Sequence, residues 1–152
     1  MSSRLLNKDN DFLNFSVKVD GKLVKFNILT EVRINEDDLT HELLEQPKVY
    51  AFALGLRARL LKEKQSAELE VEVSYGKAYK RLKNKNNPKT NRAWTNDDAK
   101  VLAELDKDYL EAKGKVITYT SHYNKVDALC KALEQRVSVM QTVSANKRKE
   151  RE

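Results

Sequence analysis

The side chains with the clearest chemical pattern in this chain lie in one stretch near its middle, residues 75–94. It interleaves cations with tyrosine, tryptophan and asparagine, and it contains no aspartate or glutamate. Lysine and arginine neutralise phosphates, and an aromatic ring offers a face on which any base can stack for about 1–3 kcal/mol. The residues predicted to contact a single strand are Lys77, Tyr79, Lys80, Arg81, Lys83, Lys85, Lys89, Arg92 and Trp94.

The distribution of charge supports this prediction. The chain has 152 residues and a net charge of +6, from 29 basic and 23 acidic side chains. Residues 76–95 contain seven basic residues and no acidic one, whereas the segments on either side are nearly balanced. A local excess concentrates the electric field on one patch, which favours a polyanionic partner.

The same residues also have a purely structural interpretation. Tyr75 and Leu82 fit the core face of a helix, and Trp94 can act as a hydrophobic staple before a helix cap at Thr95. Lysines at the C-terminal end of a helix complement its dipole. Both interpretations stay open at this point, and nucleic-acid binding is favoured because cations and aromatic rings coincide.

Catalytic chemistry has no comparable signal in the sequence. His41 and His122 do not stand at metal-ligand spacing with another histidine, cysteine or acid pair. A glycine-rich phosphate loop is absent as well. The acid pairs Asp37-Asp38 and Asp97-Asp98 fall at predicted helix starts, where the helix dipole accounts for them. The sequence therefore predicts a protein that is not an enzyme and uses no metal or cofactor.

The elements that position the basic stretch are predicted to be helices. Apolar residues in the second half of the chain recur at alternating intervals of three and four, which places them on one seam that requires a partner helix. The seam consists of Leu102, Leu105, Tyr109, Ala112, Val116, Tyr119, Tyr123, Val126, Cys130, Leu133, Val137 and Met140. We expect one helix here, from a capping box at Thr95 to about Val143.

The partner helix is predicted before the basic stretch. A short acidic helix over residues 37–46 is expected to end at Pro47, and a longer helix is expected from Pro47 to about Lys83, because proline fits the first helical turn. Two long helices joined by a short connection fold back most simply as an antiparallel hairpin. The predicted fold class is therefore mainly α, with a long antiparallel helical hairpin.

The N-terminal part follows a different pattern, since apolar and polar residues alternate on both sides of Asp20-Gly21 and predict a small β-hairpin. The predicted organisation is a lead and β-hairpin at 1–34, a helical hairpin domain at 35–146 with a basic connector at 76–95, and a charged tail at 147–152. The sequence shows no membrane span and no signal peptide, which predicts a cytoplasmic protein that does not bind membranes.

A further pattern lies at Lys100–Leu110 and continues through Tyr119, Leu129, Arg136 and Met140. This part of the chain resembles the C-terminal region of phage recombination mediators of the UvsY type. An earlier part, at Asp38-Leu39, Glu42–Pro47, Tyr50 and the charged helix to Leu82, resembles phage-encoded proteins often placed near that group. The resemblance extends over about residues 35–143, and the N-terminal β-hairpin is not part of the family's pattern.

The resemblance implies a homo-oligomeric protein that binds single-stranded DNA and helps a RecA-like recombinase replace the single-strand-binding protein. It also implies the bacterial cytoplasm of a phage host as the location. The resemblance gives the DNA contact to Lys77, Lys80, Arg81 and Lys83, and composition alone adds Lys85, Lys89 and Arg92. Two alternatives remain: a structural or chaperone-like oligomer, and a phage inhibitor of a host defence nuclease.

Overall fold

The computed structural model describes residues 14–150 of the chain. The strands are β1 (Asn14–Val19) and β2 (Lys22–Asn27), and the helices are α1 (Ile28–Glu31), α2 (Leu39–Lys83), α3 (Asn96–Glu104) and α4 (Lys107–Lys149), with a 3-10 turn at Glu36–Asp38. The two long helices α2 and α4 pack against each other. The predicted fold class, a mainly α protein with a helical hairpin and a small N-terminal β-hairpin, is confirmed.

The chain divides into two compact units. Of the described residues, 14–59 and 122–150 form the first unit, and 60–121 form the second. Both units contain a part of α2 and a part of α4. None of the helices in the described range is long and apolar enough to cross a membrane.

The β-hairpin of the first unit has a tight turn with the expected residues. Asp20 and Gly21 have φ angles of 49° and 77°, and a two-residue turn with both φ values positive matches the twist of antiparallel strands. The side chains of Val17 and Val19 are buried. The rings of Phe15 and Phe26 pair across the strands at 5.3 Å, so one face of the hairpin is apolar.

A buried arginine organises the other end of the first unit. Arg136 is 7% exposed, and its guanidinium donates hydrogen bonds to the carbonyl of Arg33 at 2.9 and 3.3 Å, to the side chain of Gln46 and to the carboxylate of Glu42. Gln46 also donates to the carbonyl of Leu133 at 2.9 Å. A buried charge is tolerated only when it is paired and hydrogen-bonded in this way.

The second unit has a core rich in small residues. Its buried side chains are Leu60, Ala67, Ala78, Ala99, Ala103 and Ala112. Two cross-helix ion pairs add to this packing: Lys115 lies 2.9 Å from Glu70, and Arg81 pairs with Asp106. The hydrogen bond from the Lys115 ammonium to Glu70 raises the pKa of that ammonium.

The first long helix differs from the prediction, because α2 begins at Leu39 and continues through Pro47. The prediction of two helices divided at this proline is wrong. Proline lacks an N–H donor and its ring crowds the carbonyl of Leu43, four residues earlier. Contacts on both sides of Pro47 offset this cost, since Gln46 bonds to α4 and the Tyr50 hydroxyl donates to Glu134 at 2.5 Å.

The second long helix is also different, because it is broken into α3 and α4 at Leu105 and Asp106. The predicted single helix from Thr95 is wrong. Asp106 caps α4: its side-chain oxygen accepts hydrogen bonds from the backbone N–H groups of Asp108 and Tyr109 at 3.1 and 3.4 Å. Leu105 is 66% exposed, so this residue does not pack in the seam as predicted.

The other seam residues have less exposed side chains. Ala112, Val126, Cys130, Leu133 and Met140 are buried, and Leu102, Tyr109, Val116, Tyr119, Tyr123 and Val137 are half-buried. Burial raises the pKa of the Cys130 thiol, which disfavours the reactive thiolate.

Candidate nucleic-acid interface

The basic stretch occupies the end of α2 and a compact loop over residues 84–95, all within the second unit. The last turn of α2 contains Lys80, Arg81 and Lys83, where positive charge complements the helix dipole. The predicted cap at Thr95 is present: its hydroxyl oxygen accepts a hydrogen bond from the backbone N–H of Asp98 at 3.1 Å and donates to the Asp98 carboxylate at 2.7 Å.

Asn87 orders the loop. Its backbone N–H donates to the carbonyl of Arg92 at 2.7 Å, its carbonyl accepts from Asn91 at 2.8 Å, and its side chain accepts from the backbone of Lys89 at 2.9 Å. Asn91 has a φ of 53°, a left-handed conformation that asparagine adopts more easily than most residues. A β-bridge between Asn86 and Ala93 closes the base of the loop.

Because these hydrogen bonds order the backbone of the loop, its cationic side chains extend from defined backbone positions. Lys85, Lys89 and Arg92 are all exposed, and none of them forms an ion pair with another described residue. Lys80, on the last turn of α2, is likewise exposed and outside any ion pair in the described range. These four residues are therefore positive charges that the second unit does not neutralise.

Arg81 and Lys83 have other roles. Arg81 pairs with Asp106, so its charge is largely compensated within the second unit. Lys83 is half-buried, and its ammonium donates a hydrogen bond to the carbonyl of Trp94 at 2.9 Å, which ties the end of α2 to the end of the loop. We therefore give these two predicted DNA contacts a structural role.

Lys77 lies beside acidic residues. It shares a groove of about 310 Å³ with Arg81, Glu70, Asp106, Asp108 and Glu111. The carboxylates that line this groove repel phosphate and attract the lysine. Lys77 is thus a weaker candidate for a phosphate contact than the four loop and last-turn cations.

The aromatic residues of the stretch are half-buried rather than free. The rings of Tyr75 and Tyr79 stack with centroids 6.4 Å apart, and the ring of Tyr109 lies 5.6 Å from that of Tyr75. The Tyr79 hydroxyl donates to the side chain of Asn96 at 3.3 Å. Tyr79 and Trp94 each retain partly exposed ring surface beside the cations, which limits base stacking to that surface.

Sequence reasoning missed two residues of this region. Asp106 neutralises Arg81 although it lies 25 residues further along the chain, and Asn87 orders the loop. A signal for Asn87 was present, because asparagine next to proline is typical of a turn. The pairing of Asp106 with Arg81 depends on how α2 and α4 align, which residue spacing alone does not give.

Comparisons with known protein families, with curated proteins and with solved structures find no match for this chain. Among residues 14–150 no group of three or more His, Cys, Asp and Glu side chains lies close enough together to hold a metal ion.

Proposed function

We propose that this protein binds single-stranded DNA through Lys80, Lys85, Lys89 and Arg92 and does not act as an enzyme. One observation carries the proposal: these four exposed cations lie at one end of the second unit and have no ion pair among the described residues. Unneutralised cations on an ordered loop release counterions when they contact phosphates, and this release is the main source of affinity for a nucleic acid.

Single strands suit this surface better than duplex. Tyr79 and Trp94 belong to the same stretch as the four cations and are only half-buried, and unpaired bases can stack on exposed ring surface whereas bases within a duplex are already stacked. The loop is short and contains no helix or strand that fits a groove of the duplex. We therefore expect tighter binding to single-stranded DNA than to duplex of the same length.

We also propose that the protein acts as a homo-oligomeric recombination mediator that assists the loading of a RecA-like recombinase on DNA covered by a single-strand-binding protein. The resemblance to mediators of the UvsY type supports this role. Four cations per chain give weak binding, and a homo-oligomer multiplies such contacts along one strand at high effective concentration.

The DNA contact is tested with a pair of charge reversals. Lys85→Glu/Lys89→Glu places acids on the loop, and we expect it to weaken binding to single-stranded DNA at least tenfold, about 1.4 kcal/mol. Lys18→Glu/Lys25→Glu on the β-hairpin is the matched control, because these lysines are also exposed and outside any ion pair among residues 14–150. Equal losses in both variants would show that net charge, and not the loop, determines binding.

The mediator role has a separate test. The wild-type chain should speed the assembly of a RecA-like recombinase on single-stranded DNA coated with a single-strand-binding protein, and the loop variant should not. Binding to DNA without any effect on recombinase assembly would contradict the mediator role alone. Binding to unfolded proteins in the absence of DNA would instead favour a chaperone-like function.

A further inference from the structure

A second surface of the 60–121 unit is an apolar groove between α2 and α4. Its volume is about 410 Å³, and it is lined by Glu68, Val71, Glu72, Lys113, Val116 and Ile117. Ile117 is 71% exposed, more than any other large apolar side chain of the described residues. An exposed isoleucine next to two valines forms an apolar surface that a protein partner can cover.

The two edges of this groove have opposite charges. Glu68 and Glu72 stand one turn apart on the α2 edge, and Lys113 stands on the α4 edge. The Lys113 ammonium lies 5.2 Å from the centre of the Tyr109 ring and forms no ion pair within the described range. Among residues 14–150, the one ion pair of Glu68 is with Lys64 of its own helix, at 3.9 Å. The charges on the two edges therefore do not neutralise each other.

Elsewhere in the same unit the helices do pair their charges. Lys115 bonds to Glu70 at 2.9 Å, and Arg81 pairs with Asp106. The groove thus combines an uncovered apolar floor with one acidic edge and one basic edge. Such an arrangement is self-complementary, because a second groove turned by a two-fold rotation can present its basic edge to the acidic edge of the first.

We propose that this groove binds the same groove of a second copy of the chain, so that the α2 and α4 segments of two chains form a four-helix bundle. A two-fold axis parallel to the helices places α2 of one copy over α4 of the other, and Glu68 and Glu72 then face Lys113 of the other copy. An axis across the helices would place α2 over α2 and oppose like charges, which is unfavourable. The valines and Ile117 fill the centre.

This inference rests on the homo-oligomeric part of the proposed function and names its surface. Two variants test it: Lys113→Glu reverses the basic edge, and Glu68→Lys/Glu72→Lys reverses the acidic edge. Sedimentation equilibrium should show that each variant alone self-associates at least tenfold more weakly than the wild type, because like charges then meet. An equimolar mixture of the two variants should recover the wild-type affinity, since both cross-copy contacts again join opposite charges.

Lys62→Glu is the matched control, because Lys62 is exposed on α2 and does not line the groove. It should leave self-association unchanged, and circular dichroism should show that all variants keep the wild-type helix content. A monomeric wild type, variants that associate as the wild type does, or a mixture that does not recover would each overturn the proposal. Unchanged DNA binding in Lys85→Glu/Lys89→Glu, together with recovery in the mixture, would overturn the proposed function only.

Discussion

At the scale of single residues, the candidate nucleic-acid interface depends on which basic side chains are already neutralised by other groups of the same chain. Arg81 and Lys83 look equivalent to Lys80 and Lys85 in the sequence, yet one is paired with Asp106 and the other bonds to a backbone carbonyl. The remaining exposed cations, Lys80, Lys85, Lys89 and Arg92, form the charge that we propose a DNA strand contacts. The cations that are neutralised and those that are exposed differ in their contact partners and not in their positions in the sequence.

Asp106→Asn should strengthen binding to single-stranded DNA. The variant removes the charge that compensates Arg81, whereas asparagine still caps α4 about as well as aspartate. One additional phosphate contact should make the salt dependence steeper by about 0.7 in the logarithmic slope, as measured by titration at several salt concentrations. In an Arg81→Gln background the same substitution should have no effect. Unchanged or weaker binding by Asp106→Asn would be evidence against Arg81 as a latent contact.

From the ion pairs of Asp127 we expect the free energy of unfolding to depend on pH in the acid range. Hydrogen bonds from Lys131 and Arg57 lower the pKa of its carboxyl group below the ordinary value. A carboxyl group with a lowered pKa in the folded state stabilises above its unfolded pKa, and this contribution is lost as the pH falls through the folded pKa.

The difference in free energy of unfolding between the wild type and Asp127→Asn should therefore be largest at neutral pH and should disappear in strong acid. Urea unfolding of both proteins across this pH range measures the difference. A difference that stays constant with pH would mean that the ion pairs of Asp127 do not contribute, and that the substitution acts through packing alone.

At the scale of secondary structure, the helical hairpin was predictable because apolar spacing reports directly which side of a helix is covered. The break at Leu105 and Asp106 was not, because Leu105 keeps the spacing of the seam while its side chain is exposed. The continuity through Pro47 was also missed. There, tertiary contacts of Gln46 and Tyr50 outweigh the local preference of proline for a helix start.

A substitution at Gly114 tests how helix α4 contributes to the stability of the protein. It lies inside α4, and a Cβ atom added there meets no atom within 4 Å. Gly114→Ala should raise the free energy of unfolding by about 1 kcal/mol, because alanine loses less backbone entropy on helix formation. Thermal or urea unfolding measures the change. A loss of stability would show that the space around Gly114 is occupied, for instance by a second copy of the chain.

At the scale of the whole molecule, the proposed function requires few contacts from each chain and many chains on each strand. Four exposed cations of the predicted DNA site form no ion pair with another described residue, and the location of the site and DNA binding itself stay predictions. Apolar spacing and charge counts indicate where charge accumulates. They do not indicate which carboxylates lie opposite, because such contacts form only when distant segments of the chain meet.

The salt dependence of binding to single-stranded DNA tests the central claim most directly. The slope of log affinity against log salt is negative, and each lost phosphate contact should reduce its magnitude by about 0.7. Lys85→Glu/Lys89→Glu should therefore have a slope whose magnitude is at least about 1.4 smaller than that of the wild type. The control Lys18→Glu/Lys25→Glu should keep the wild-type slope. A loop variant with the wild-type slope would contradict the claim that the ordered basic loop contacts the strand.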